Sequence, residues 1–448
     1  MLCAIPIETV VRELDGALYQ ALHLAAKGLP SLVGGNMALK MALIHKAPVV
    51  LFDNDHYIEG NDRVLKAGGA VINIDPEGLG VRDYPTLVDE HAKTVPHVSL
   101  MSAWGEDLAE AIRSKVSPEY QNRVQAFGHP SFDLAHSRFT DFYKSQAIID
   151  KHGNDYIQVN ANFGFYNQLV SIEQRMEAIT SVYGEDFIET AEHKQHVENC
   201  ISYQKDLLEA FLEMIRFLAA RYPDRHIIVR PHPAENTRTY TKALDDISNV
   251  YINNTGAVRT WIASAGAVIH HACTTGIETL LMGKLIIQYR PFFDPEKAPK
   301  IPSKVGAPVE SLEELAEFID KGTMPQDLIK EQRNYLRQYF ASINHNTSKT
   351  LAQFAFDSLR GADQAPIEKC GMDTRMKCWT KYVGKRLRAL RPGDKGKRVQ
   401  YILQKFDRIK LSQVSDTLER IGRCEPSLPS VQVTEVCMDT FFIEPKAH

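Results

Sequence analysis

The 448-residue chain lacks the marks of several protein classes. Its seven cysteines, Cys3, Cys200, Cys273, Cys370, Cys378, Cys424 and Cys437, are odd in number, scattered and never spaced as CxxC. That argues against a disulfide framework and against a zinc site, and suits a reducing compartment. No apolar run approaches the roughly 20 residues of a membrane-spanning helix. The opening MLCAIPIETVVREL reaches Glu8 and Arg12 too early to leave a signal-peptide core, so a cytoplasmic location is expected. Neither sign of charge dominates: 52 basic against 56 acidic residues leave −4, with no global attraction to nucleic acid. There is no GxGxxG, no P-loop GxxxxGK and no GxSxG, which weakens the dehydrogenase, kinase and hydrolase readings.

What is present is ordinary globular composition, 44% hydrophobic and 24% charged, patterned as alternating strands and helices. LCAIPIE, PSLVGG, APVVLFDN and GAVINID are β-rich runs separated by helical periodicity, first over Thr9 to Lys27 and then near Met37 to His45. A second series runs through DYIQVNANFG, a long helix from about Val197 to Arg221, RHIIVRPHP, NVYINN, GAVIHH, GIETLLMG and LIIQY. Continuous apolar strands alternating with helices predict parallel sheets covered on both faces. The expected organisation is an α/β chain with two Rossmann-like domains, 1–150 and 151–362, and a basic C-terminal extension, 363–448.

Three segments carry candidate chemistry. In VIHHACTTGIETLL a strand ends at His270-His271 and a helix begins near Gly276, so Thr274, Thr275 and Gly276 read either as a phosphate cradle or as an ordinary helix cap. Glu278 reads as a ribose acceptor or as a capping-box acid. In RHIIVRPHPAEN a strand delivers Arg230 and His232 to its carboxyl end, between two prolines that hold the histidine extended. In INIDPEGLG the acids Asp75 and Glu77 follow a strand, where a carboxylate can act as a general base. Glu13 and Asp15 in IETVVRELDGAL either line the ligand edge or are helix N-terminal acids. Asn160, Asn162 and Gly164 in NANFG, and His129 and Asp133 in FGHPSFD, allow close backbone approach to a phosphate or simple packing.

The order of IETVVRELD, INIDPEGL, FGHPSFDL, QVNANFG, VRPHPAEN and HHACTTGIETLLMGK resembles the bacterial surface carbohydrate biosynthesis proteins over residues 1 to 295. The central motifs are similar to those of sialyl-, polysialyl- and Kdo transferases. The resemblance implies a GT-B fold and a metal-independent glycosyltransferase that takes an acidic sugar from a CMP-activated donor to a surface polysaccharide or lipid-linked glycan acceptor, with no further cofactor. It makes Glu77, or Asp75, the base, with Glu13 nearby. It makes His232 the contact to the CMP phosphate and Thr274 and Thr275 the hydroxyls that hold phosphate or sugar carboxylate; Arg230, Asn162, Gly164, His271, Gly276 and Glu278 complete the expected donor site. Pro76 interrupts the acidic pair and threonines stand where serines are usual. Rival readings are a CDP-glycerol glycerophosphotransferase, a UDP-sugar epimerase or transferase, and a non-catalytic scaffold for polysaccharide assembly.

One charge asymmetry stands apart. Residues 375–410 hold 13 Lys or Arg against two Asp, leaving the rest of the chain at −15. Trp379, Tyr382, Leu387, Leu390, Tyr401, Ile402, Leu403 and Phe406 are interspersed. The segment reads either as an anchor to an anionic membrane surface, making the protein peripheral at the inner membrane, or as a solvated basic face; nucleic acid is not an expected partner.

Overall fold

The computed structural model describes residues 1–446 except 55, 77, 79–84, 169–190, 344, 364, 392–398, 401, 404 and 407. Two compact α/β units emerge, one formed by residues 1–134 together with 337–448 and the other by 135–336.

In the first unit β1 (Leu2–Pro6), β2 (Ser31–Gly34), β3 (Val49–Asp53), β4 (Ala70–Asn73), β5 (Leu100–Ser102) and β6 (Val124–Gln125) form a parallel sheet in the order β2-β1-β3-β4-β5-β6. Ala4 lies opposite Leu32 on one side and Leu51 on the other. These residues are fully or almost fully buried, which is why the strands read as unbroken apolar runs. The crossovers include α1 (Val10–Ala25), α2 (Asn36–Leu43), α3 (Ile58–Lys66), α4 (Pro85–Thr94) and α5 (Glu106–Arg113). A short α6 (Pro130–Asp133) packs on α1 at Gly16, where an added Cβ would lie 2.7 Å from Ser131 Oγ.

The second unit contains β7 (Tyr156–Asn160), α7 (Ala191–Arg221), β8 (Ile227–Arg230), α8 (Thr237–Leu244), β9 (Val250–Ile252), α9 (Val258–Ser264), β10 (Ala265–His270), α10 (Thr275–Leu281), β11 (Ile286–Tyr289), β12 (Ala307–Val309) and α11 (Leu312–Lys321). All neighbouring strands are parallel, in the order β9-β8-β7-β10-β11-β12. Numbered from β7, this is the 3-2-1-4-5-6 doubly wound order, and the first unit has the 2-1-3-4-5 order. Each order reverses at one place, between β7 and β10 here and between β1 and β3 in the first unit. Ligands of open α/β sheets bind outside the carboxyl ends of the strands at such places.

The chain then returns to the first unit through α12 (Thr347–Ser358), α13 (Met372–Ala389), α14 (Leu411–Cys424), β13 (Val431–Cys437) and β14 (Thr440–Pro445). β14 pairs antiparallel with β2, Phe442 opposite Leu32, and buries Phe441 and Ile443 completely. Tyr19 of α1 donates to Glu425, Ile409 N–H donates to Asp439, and Lys405 pairs with Glu8 at 3.5 Å. The structure therefore corrects the expected division. The units part at 134/135 and 336/337, and the segment expected as an extension completes the first sheet. None of the seven cysteines forms a disulfide. No helix among the described residues is long and apolar enough to cross a membrane.

Candidate functional site

In the second unit, three adjacent strands deliver the candidate residues to one edge. NANFG follows β7, RPHP follows β8, and HHACTT follows β10. Asn160 donates to Thr275 Oγ1 at 2.9 Å while accepting from Gln158, joining the ends of β7 and β10 across the reversal point. Asn162 and Gly164 lie half-buried just beyond.

Thr274 is exposed, and its side chain makes no capping bond to α10, so its hydroxyl is not consumed by the helix. His271 is buried; one ring nitrogen must donate to the Tyr289 carbonyl, 3.2 Å away, and the other lies 2.9 Å from Tyr203 Oη. Burial lowers its pKa to about 4, helped by the Arg290 charge and opposed by the bond to Tyr289, so it is neutral at pH 7. Gly276 packs against the neighbouring His270 ring, where a Cβ would come within 2.5 Å of Cε1. Its small size is accounted for by that contact instead of by ligand approach.

His232 is exposed at the end of β8. Its Nδ1 accepts from Ala234 N–H at 3.2 Å, so the neutral ring carries its proton on Nε2. His129 in the first unit does the same, Nδ1 accepting from Ser131 N–H at 3.1 Å. Both His-Pro pairs thus use the ring to close their own turn and fix its tautomer. The turn at His232 is secured by Glu235, which the sequence reading did not select. This buried carboxylate accepts from His232 N–H, Asn167 Nδ2 and Tyr240 Oη at 3.0, 3.2 and 2.5 Å, tying the ends of β7 and β8 together. Burial raises its pKa, and those donors oppose the rise.

Two expected ligand contacts are engaged elsewhere. Arg230 donates to the carbonyls of Asn253, Thr255 and Gly256 and stacks on Trp261 at 5.0 Å, so its fork organises a loop. Burial lowers its pKa to about 10. Glu278 is paired with Arg259 at 2.6 Å, and Arg259 also donates to Tyr143. An arginine followed by HP reads as an anion clamp in sequence; only the fold reveals the carbonyls of the β9–α9 loop that it holds.

The first unit holds a cleft at its own reversal point, with roughly 440 Å³ of empty space open to solvent, lined by Ile7, Glu13, Asp53, Asn54, His129 and Ser131 among others. Glu13 is buried and accepts from Glu8 N–H, Thr9 N–H, Arg12 and Asn54. It fastens the β1–α1 turn, which makes it a positioning residue in this arrangement. Asp133 accepts from Thr347 N–H, Ser348 N–H and Ser348 Oγ at the start of α12, and burial raises its pKa to about 6 against those bonds. Glu77 lies outside the described residues. Asp75 follows β4, with Oδ2 at 2.5 Å from His91 Nε2 and 3.7 Å from His56 Nε2.

Fold and edges define a chain of two doubly wound units, each with a ligand-type sheet edge. No family model and no curated protein matches it. Among solved structures, the UDP-GlcNAc 2-epimerase of Neisseria meningitidis bound to UDP-GlcNAc is similar at 12% identity with a TM-score of 0.39, covering 80% of this chain and 99% of that one. The UDP-GlcNAc 2-epimerase of Methanocaldococcus jannaschii is similar at 13% identity and a TM-score of 0.41, over 79% and 97%. The wall teichoic acid polymerase TagF is similar at 10% identity and a TM-score of 0.39, over 70% and 73%. At such values the fold of this chain is read from its own strand order.

Proposed function

We propose that the protein is a glycosyltransferase of the GT-B kind, moving an acidic sugar of the Kdo or nonulosonic type from a CMP-activated donor to a surface glycan or lipid-linked acceptor. The observation that carries the proposal is the convergence of Asn162, His232, Thr274 and Thr275 at the β7/β10 reversal point of a 3-2-1-4-5-6 sheet. The CMP preference and the acidic sugar come from the motif resemblance.

The residues supply the chemistry that such a transfer needs. A departing CMP carries a single phosphate, and the Nε2–H of His232 and the Thr274 hydroxyl are donors suited to it. Transfer requires the acceptor hydroxyl to lose its proton, a task that the motif resemblance assigns to Glu77 or Asp75.

The same proposal gives the basic segment a partner. Met372, Met376, Trp379, Val383 and Leu387 of α13, with its C-cap Leu390, recur every three or four residues and so fall on one face. Met372 is 82% and Leu390 80% exposed. Lys377, Lys381, Lys385, Arg386 and Arg388 belong to the same helix. At about 100° per residue Lys377, Lys381, Lys385 and Arg388 fall on the opposite face and Arg386 beside the stripe. An exposed apolar stripe on such a cationic helix suits an anionic lipid surface, where a lipid-linked acceptor resides.

The test is release of CMP from CMP-Kdo and CMP-N-acetylneuraminate by the full chain in the presence of bacterial surface glycan. Turnover of one of them, reduced about 100-fold by His232→Ala, is expected. Turnover of CDP-glycerol or a UDP-sugar instead, or activity indifferent to that substitution, would overturn the proposal.

A further inference from the structure

We propose that the first unit binds a divalent transition metal, zinc by preference, through His56, Asp75 and His91, at the carboxyl ends of β3 and β4. The donor atoms His56 Nε2, His91 Nε2 and the Asp75 carboxylate all lie within 4.8 Å of one another. Around zinc at about 2.0–2.1 Å per bond, tetrahedral donors are about 3.3 Å apart. The observed 2.5 and 3.7 Å from Asp75 Oδ2 bracket that spacing, within the swing of one carboxylate.

The second observation is how the rings are held. His91 Nδ1 lies 2.7 Å from the Leu87 carbonyl, which can only accept, so Nδ1 carries the proton. Thr94 Oγ1 donates to the Glu90 carbonyl and is 3.0 Å from His56 Nδ1; its one hydrogen is used, so His56 Nδ1 is also the donor. In their neutral forms both imidazoles therefore turn Nε2 lone pairs toward one carboxylate oxygen. Such a convergence of two imidazole nitrogens and a carboxylate holds a positive charge, which a proton on one ring or a bound metal ion supplies. Imidazoles anchored through Nδ1 with Nε2 presented to a common point are how metal-bound histidines are oriented. A third observation is backbone strain: His56 has φ 48°, a conformation that non-glycine residues rarely adopt and that concentrates at functional positions.

The chemical class follows from the donors. Two imidazoles and one carboxylate suit zinc and its first-row neighbours and are poor ligands for calcium or magnesium, which select oxygen. Three protein donors, with His56 and Asp75 only partly buried, leave a fourth position for water or an acceptor oxygen. Sequence inspection misses the set because 35 residues separate the histidines and neither belongs to a spaced motif. On the glycosyltransferase reading above, Asp75 becomes a metal ligand, and Glu77 remains as the base.

The experiment is calorimetric titration of EDTA-treated full-length protein with Zn²⁺ alone, with Co²⁺ absorption as a second readout. One equivalent per chain with a tetrahedral Co²⁺ spectrum is expected, weakened at least about tenfold by His56→Ala and Asp75→Asn, and about tenfold by Thr94→Val, which touches no donor atom. Circular dichroism in the absence of metal identifies any variant that fails to fold, and Thr94→Val then carries the comparison. No stoichiometric binding, or equal affinity in wild type and all folded variants, would overturn the site. Nucleotide is absent from this measurement, so failure of the CMP-sugar reading leaves its result unchanged, and the reverse also holds.

Discussion

At the residue scale, the strand-end polar side chains divide into those that hold the edge and those left to face a ligand. Glu278, Arg230 and Glu235 hold it, and their partners are a buried arginine, three backbone carbonyls and a turn. Removing one member of a buried ion pair leaves the other charge uncompensated, at a cost of about 3–5 kcal/mol. Glu278→Ala is therefore expected to lower the unfolding free energy, read by urea titration, by that order while the folded fraction binds nucleotide as wild type does. Thr274→Val, at an exposed N-cap hydroxyl that makes no capping bond, is expected to change stability by less than about 0.5 kcal/mol and to weaken nucleotide binding. Equal behaviour of the two variants would remove the distinction.

Asp133 gives a pH signature at the same scale. Its folded pKa, raised by burial to about 6, lies above the 3.8 of the unfolded chain. Between those values the folded state holds the proton more firmly, so this contribution is present in full below about pH 4 and is lost as pH rises through 6. The expected size is of order 2 kcal/mol. Denaturation of Asp133→Asn from pH 4 to 7 should show a flatter decline than wild type; parallel profiles would contradict the assignment.

At the element scale, local signals in the sequence were reliable where neighbours agreed with them. SLEELAEFIDKG becomes α11 with a complete Ser311–Glu314 capping box and Gly322 in the left-handed conformation, φ 69°. The apolar runs RHIIVR and GAVIHH become β8 and β10 almost to the residue. PSLPSVQVTEVC has no legible role, because the β13–β14 hairpin is placed through β14, which pairs with β2 roughly 400 residues earlier, and long-range pairing leaves little local trace. The HP and Thr-Thr motifs were legible through their chemistry. The partners that consume Arg230 and Glu278 were not, since they lie on loops and helices distant in sequence.

The basic helix α13 is also an element-scale matter. Its stripe is exposed, so Trp379→Glu with Leu387→Glu is expected to leave the melting temperature within about 1–2 °C. Sedimentation with vesicles containing phosphatidylglycerol should fall at least tenfold, while neutral vesicles bind neither form. Unchanged sedimentation would assign the stripe to another partner.

At the scale of the whole molecule, the C-terminal quarter is a structural part of the first unit. Truncation after residue 424 would remove β14 from β2 together with the buried Phe441 and Ile443, each worth about 1.5–3 kcal/mol of burial. The shortened chain is expected to lose cooperative unfolding of the first unit or to aggregate through the bared β2 edge. A stable truncated protein would contradict the observed strand pairing. The charge distribution follows the same plan, +11 over residues 375–410 against −15 elsewhere, so the cationic surface is confined to one segment of an otherwise acidic protein.

The central claim is that the second unit binds a cytidine monophosphate at the carboxyl ends of β7, β8 and β10. Its most direct test is a thermal-shift panel of CMP, CDP, UDP, UMP and GDP on the full chain, because a ligand that binds only the folded state raises its stability by RT ln(1 + [L]/Kd). Selective stabilisation by CMP, lost in His232→Ala, is the expected result. Stabilisation by UDP in place of CMP, or a CMP shift unaffected by that substitution, would contradict it.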